Sequence, residues 1–385
     1  TGAFLFALAV TGCTTLHREP VPLALIDEAM LDGYGPIRFW GDRIPPEFTA
    51  RSAEALRVMR EQNADLIAAG DTVKMDFLAI SGGGGNGAFG AGFLNGWTRS
   101  GTRPEFQIVT GVSTGAIIAP FAFLGPDYDD ELRRAYTEIG PDDIYVASIL
   151  PNLFNGVALA NAAPLKKLIA SFSDSALLDA IAREHMKGRR LLVVTTNIDA
   201  GRAVVWDLGA IAASGNPGAL SLFREILLAS ASLPGLFPPV AINVVAEGRH
   251  FTEFHVDGGL TSQVFSYQPQ IELGRVLDDT GFDVDASLYV IWNGRRVPVY
   301  APPEPVWYAL AERSLDVQFT HQGLADIDRM YGLSQRDGMD FHLATIPEDF
   351  AEQQREPFEQ NFMRALFQAG EVAALAEDWL DAPPE

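Results

Sequence analysis

The chain has 385 residues, 48% of them hydrophobic and 20% charged, which is enough apolar material for one large α/β domain with extensions. Its 28 basic and 50 acidic residues leave a formal net charge of −22. That balance argues against nucleic acid as a partner and against broad electrostatic docking on anionic lipid.

The single cysteine, Cys13, allows no intrachain disulfide. It ends an uncharged run from Thr1, too short to span a bilayer and about the length of the apolar core of a signal peptide. Val10-Thr11-Gly12-Cys13 resembles a bacterial lipobox, in which the cysteine is lipidated. Residues 1–13 are therefore expected to be a signal peptide with lipobox, and residues 14–70 an N-terminal extension. Proline and glycine breaks over 19–46 predict a segment running across the surface. Ala55, Leu56, Met59, Leu66 and Ile67 fall near helical spacing and predict a helix over 47–69.

From there the pattern alternates. Residues 75–80 read as a buried strand, 88–98 as a helix, 106–110 as a strand, and Thr114 opens a second helix through Leu124. This order implies a parallel sheet with crossover helices. Helical patterns follow at 129–139, 164–171 and 175–187. Between them an irregular apolar stretch holds Ile144, Tyr145, Ile149, Leu150, Leu153, Phe154 and Val157, readable as core or as the wall of an acyl-chain site. Residues 190–197 read as a buried strand paired with 203–206 through a turn, with Asp199 and Asp207 as turn and surface residues. A helix over 223–231, extended chain over 250–256, a strand over 287–292, a long helix over 304–334, a strand over 341–345 and an amphipathic helix over 357–378 complete the reading.

Two glycine-rich loops carry the chemistry. Gly82, Gly83, Gly84, Gly85, Asn86 and Gly87 follow the first strand and open a helix, a geometry that exposes backbone N–H groups to an anion. No Lys-Ser or Lys-Thr follows, so this is not a nucleotide-triphosphate loop. Gly111-Val112-Ser113-Thr114-Gly115 follows the next strand. A serine on a sharp strand-to-helix turn is a nucleophile held beside an oxyanion hole, which acyl transfer requires; Ser113 could equally be a simple helix N-cap. The base has two candidates. Asp257, followed by Gly258 and Gly259, is ionised at neutral pH and can accept a proton if it reaches Ser113. His255, two residues earlier on an extended strand, points to the same face.

The set of blocks resembles the patatin-like phospholipase family. That family has a glycine-rich loop, then Gly-x-Ser-x-Gly, then Asp-Gly-Gly or Asp-Gly-Ala far downstream. Residues 81–87, 111–115 and 257–259 match in order, Ala229-Ser-Ala-Ser-Leu-Pro-Gly-Leu-Phe-Pro-Pro-Val240 resembles the small-residue and proline segment before the aspartate, and Thr195-Thr-Asn-Ile-Asp-Ala-Gly201 is also familial. The resemblance covers about residues 74–295 and implies a three-layer α/β/α sandwich with a mostly parallel central sheet and a Ser–Asp dyad without histidine; the catalytic domain is expected over residues 71–346, followed by a C-terminal helical extension over 347–385. Ser113 is then the nucleophile, Asp257 the base, and the N–H groups of Gly83, Gly84 and Gly85 the oxyanion hole. Ser81 and Asn86 depart from the family's aspartate and Arg/Lys.

The expected function is a lipid acyl hydrolase that forms an acyl-enzyme and needs no metal or cofactor. Its partner is a lipid or ester substrate, and the lipobox implies an anchor in a bacterial envelope membrane, facing the periplasm. A Ser–His–Asp esterase, an inactive anchored lipid-binding protein and an acyltransferase are the alternatives.

Overall fold

A computed structural model describes residues 18–43, 46–147, 158 and 160–383. The strands in chain order are β1 (Arg38–Trp40), β2 (Val73–Ile80), β3 (Phe106–Val112), β4 (Val146–Ala147), β5 (Ala160–Asn161), β6 (Arg190–Asn197), β7 (Arg202–Asp207), β8 (Val240–Ala246), β9 (Arg249–Asp257), β10 (Val284–Trp292) and β11 (Asp340–Thr345). The main sheet runs β1-β7-β6-β3-β2-β10-β11, with β9 paired to β6 and β8 to β9. Its centre, β6-β3-β2-β10-β11, is parallel throughout, whereas β7, β1, β9 and β8 pair antiparallel on the β6 side. The fold is a mostly parallel central sheet flanked by helices, as the alternating pattern predicted.

Alternation along the strands divides the core. Leu78, Ile80 and Val109 face one side with the helices Gly87–Ser100, Thr114–Leu124 and Gln360–Leu375. Met75, Phe77 and Leu288 face the other, with Met59 of the helix Pro46–Gln62 and Ile327 of the helix Trp307–Arg336. On the first side two helices lie almost in backbone contact. A Cβ added to Gly92 would sit 1.9 Å from the carbonyl oxygen of Phe367, and one on Gly96 would sit 2.5 Å from that of Glu371. Only glycine fits such an approach.

Several expectations change. The predicted helix over 47–69 is two helices, Pro46–Gln62 and Ala64–Ala69, parted at Asn63. The segment read as a surface run contributes β1, which pairs with β7 and buries Ile37 and Phe39. Strand β8 was not anticipated: it forms a hairpin with β9 across Glu247-Gly248, both at positive φ, as a two-residue turn of this hand requires. Asp207 is not a surface residue. It is 4% exposed and caps the helix Leu208–Ala213, accepting from the Ala210 N–H at 2.8 Å. Asp199 is exposed and pairs with Arg18. No described helix is long and apolar enough to cross a membrane. Cys13 and the expected signal segment lie outside the described residues, as do Ile149, Leu150, Leu153, Phe154 and Val157.

Candidate active site

Strands β2 and β3 are parallel neighbours, with Ile80 opposite Gly111, so their C-terminal loops emerge side by side. At the second loop the chain turns from β3 into the helix Thr114–Leu124 through Ser113, whose φ of 55° and ψ of −122° are strained for a residue with a side chain. The flanking glycines are fixed by close approach. A Cβ on Gly111 would lie 2.4 Å from the Gly115 carbonyl oxygen, and one on Gly115 would lie 2.3 Å from that of Ile80. Ser113 occupies the N-cap position but makes no side-chain capping bond. Its Oγ instead donates to Asp257 Oδ2 at 2.7 Å.

Asp257 ends β9 opposite Thr195 of β6. Its second oxygen, Oδ1, accepts from the Gly259 N–H at 2.7 Å. Burial pushes this carboxyl up to about 7, and the hydrogen bonds from Ser113 and the Gly259 N–H only partly offset that rise. A base poised near neutrality is suited to taking and returning a proton at physiological pH. Both partners are held by the small-residue segment. Ser230 Oγ accepts from the Ser113 N–H at 3.0 Å and donates to the Val194 carbonyl at 2.7 Å, while the Asp257 N–H donates to the Ser232 carbonyl at 2.9 Å.

His255 has no hydrogen bond to Ser113 among the described residues, because both ring nitrogens are taken. Nδ1 meets Thr195 Oγ1 at 2.8 Å and Nε2 meets Glu253 Oε2 at 3.0 Å. Trp206 Nε1 donates to the same Thr195 hydroxyl, and Arg38 donates to Glu253. One consistent chain of donors results: Trp206 to Thr195, Thr195 to the imidazole, the imidazole Nε2–H to Glu253. Burial depresses His255 and keeps the ring neutral. Burial also works against ionisation of Glu253, but the bonds from His255 and Arg38 outweigh it and hold the carboxyl at about 2. The histidine belongs to a buried structural network.

The first glycine loop passes directly over the nucleophile. A Cβ on Gly82 would approach Ser113 Cβ to 3.2 Å. The Gly82 N–H is occupied by the Gln263 carbonyl at 2.9 Å. Gly83 and Gly84 have φ of 146° and 56°, and residues 84–86 form a 3₁₀ turn into the helix Gly87–Ser100. Gly83, Gly84 and Gly85 line the cavity that holds Ser113 and Asp257. Ser81, which stands where the resemblance leads one to expect aspartate, is fully buried and ties the loop to the end of β10. Its Oγ accepts from the Asn293 N–H at 2.8 Å, its carbonyl accepts from Asn293 Nδ2 at 2.9 Å, and Asn293 Oδ1 accepts from the Gly90 N–H at 2.9 Å.

The cavity measures about 640 Å³, and its walls include Ile117, Leu165, Ile169, Phe172, Leu236 and Phe237. Ile144 of the predicted apolar stretch lines it as well. Asn86 removes the cation expected beside the loop, yet Arg295 and Arg313 line the same cavity. Sequence reasoning missed Ser230, Gln263, Asn293 and Arg295. Of these only Ser230 had a local signal, in the small-residue segment. Among the described residues no group of three or more His, Cys, Asp or Glu side chains is arranged to hold a metal ion.

Residues 78–265 match the patatin-like phospholipase family. They are a patatin-like phospholipase domain. The matched region contains both blocks of the dyad and both glycine loops. Among solved structures the chain is similar to VipD from Legionella pneumophila, at 12% identity and a TM-score of 0.35, over 79% of this chain and 67% of that one. It is also similar to human GIVD cytosolic phospholipase A2, at 10% identity and a TM-score of 0.35, over 89% of this chain and 64% of that one. No curated protein matches it in sequence.

Proposed function

We propose that this patatin-like protein is a serine acyl hydrolase of membrane lipids that works through a Ser113–Asp257 dyad. The observation that carries the reading is the 2.7 Å bond from Ser113 Oγ to Asp257 Oδ2 at the floor of an apolar cavity roofed by a glycine loop. Asp257 accepts the hydroxyl proton as Oγ attacks the acyl carbonyl. The N–H groups of Gly83, Gly84 and Gly85 receive the oxyanion, each well-placed donor contributing about 3–4 kcal/mol to the transition state. Asp257 then gives its proton to the departing alcohol, leaving an acyl-Ser113 ester. A water molecule attacks that ester, again losing its proton to Asp257, and fatty acid leaves as Ser113 recovers its proton.

The apolar walls suit an acyl chain, and arginines (Arg295, Arg313, Arg355) and acids (Glu312, Asp316, Glu356) both line the cavity. The family match makes phospholipid the substrate class this reading favours. Lipidation at Cys13 would place the domain beside its substrate at a bacterial envelope membrane, though one acyl chain alone holds only weakly. Release of fatty acid from phospholipid vesicles and from a short-chain chromogenic ester tests the reading, with wild type beside Ser113→Ala, Asp257→Asn and His255→Ala. Turnover by wild type and His255→Ala with the other two inactive supports the dyad. A wild type inert on every ester, or an inactive but folded His255→Ala, contradicts it.

A further inference from the structure

A second cavity, of about 770 Å³, lies on the opposite side of the sheet from the acyl-chain walls. Met59, Met75, Phe77, Ile108, Leu277 and Leu288 line it. It is no smaller than the cavity at Ser113 and falls in the ~300–1,000 Å³ range of small-molecule sites. A dry apolar void would be an ordinary packing defect, but this one contains polar groups. Ser266 and Gln268 line it, at 8% and 1% exposure, and among the described residues neither Ser266 Oγ nor Gln268 Nε2 has a hydrogen-bond partner. Buried donors are rarely left unpaired, because each forgoes the bond it had with water. Two such groups two residues apart open onto a cavity whose lining is apolar around Met59, Phe77 and Leu288 and charged around Lys74, Arg189, Arg190 and Arg275.

We propose that this cavity binds a single-chain acyl lipid, with the chain along the apolar walls and its carbonyl oxygen accepting from Ser266 Oγ–H and the Gln268 carboxamide. The Gln268 carboxamide nitrogen only donates and the Ser266 hydroxyl can donate beside it, so a ligand acceptor satisfies both. The depth of Gln268 favours a neutral carbonyl over a fully hydrated charged group. The volume suits one chain rather than a two-chain lipid. A free fatty acid in its protonated form and a monoacylglycerol share this chemistry, and the test separates them. The site is distinct from the dyad: none of Ser113, Asp257 or the loop glycines lines it.

Native mass spectrometry of the full chain with oleic acid and, separately, 1-monooleoylglycerol counts bound molecules, and titration gives their affinity. Wild type should carry one more bound molecule than Ser266→Ala/Gln268→Leu, with affinity for that last molecule lowered at least about tenfold by loss of the two donors. Ester turnover at Ser113 should stay within about twofold of wild type, since neither residue touches the dyad. Binding of one probe and not the other assigns the source. An equal count in wild type and double variant, or no binding of either probe by wild type, overturns the proposal. Should the double variant fail to fold, Ile108→Trp, which fills the cavity and leaves both donors, must lower the count by one, and an unchanged count overturns the site.

Discussion

On one side of the central sheet a single apolar cluster runs unbroken from Leu78 and Ile80 through Phe93, Phe121 and Phe223 to Met363 and Phe367. Among the described residues the other side has two clusters, one around Met75, Phe77, Leu288 and Ile327 and one around Phe39, Leu192, Val205 and Phe265, and the second cavity opens between them. The first side packs helices at glycine distance and carries the strained turn at Ser113. The second has room to spare. On the proposed reading, acyl transfer needs its nucleophile, base and oxyanion donors fixed within a fraction of an ångström, and two of the elements around them, the helix after Ser113 and the helix that ends in Ser230, belong to the tightly packed side. The looser side is free to hold something else.

The largest expected effect is at the dyad. Ser113→Ala and Asp257→Asn should each lower ester turnover ~10³–10⁴-fold with the fold retained, read from initial rates and a far-ultraviolet spectrum. Next comes the helix contact. Gly92→Val should cost about 3 kcal/mol or more in denaturant unfolding, because its side chain meets the Phe367 backbone rather than a movable side chain. His255→Ala should lower stability by ~2–3 kcal/mol while leaving turnover within a few-fold, since it opens a buried gap and removes one partner each from Glu253 and Thr195 without touching Ser113.

Overpacking sharpens the contrast between the sides. Ile118→Phe, on the unbroken side, should destabilise by ~1–3 kcal/mol, whereas Ile108→Phe, which points into the second cavity's lining, should cost under about 1 kcal/mol. Equal costs would erase the distinction. The smallest effect is a pH dependence. With Asp257 raised to about 7, the active form is the ionised one, so kcat/KM should climb tenfold per pH unit below about 6 and level off above about 7.5. The same shift means the folded state holds a proton that the unfolded chain has lost. Stability from this group therefore falls as pH rises from about 4 to 7, and Asp257→Asn should be more stable than wild type at pH 8, read from thermal midpoints.

The parts legible in sequence were those fixed locally. Strands β2, β3, β6 and β10 are apolar runs bounded by glycine or proline, and the glycines of residues 111–115 are required by backbone approach that any side chain would block. The dyad partners were legible as residue types and the resemblance pointed to Asp257 over His255; the physical reason lies in where β9 meets β6, which puts Asp257 at Ser113 and His255 between Thr195 and Glu253. Strand β1 was hidden because three residues among proline and glycine breaks carry almost no pattern, and its place comes from pairing with β7. Gln263 and Asn293 hold the glycine loop from 181 and 212 residues away, the first at Gly82 and the second at Ser81. Nothing near either residue announces such a bond. The two glycines of the Gly92 and Gly96 contact were visible as composition, but their reason is a partner helix that begins at Gln360.

The central claim is that Ser113 is a nucleophile activated by Asp257. Covalent labelling with a long-chain alkyl fluorophosphonate, followed by peptide mass spectrometry, tests it without assuming a substrate. One adduct on the peptide containing Ser113, absent from Ser113→Ala and formed far more slowly by Asp257→Asn, is the predicted result. An adduct on a different serine, or labelling of Ser113 at the same rate once Asp257 is changed to asparagine, would contradict it.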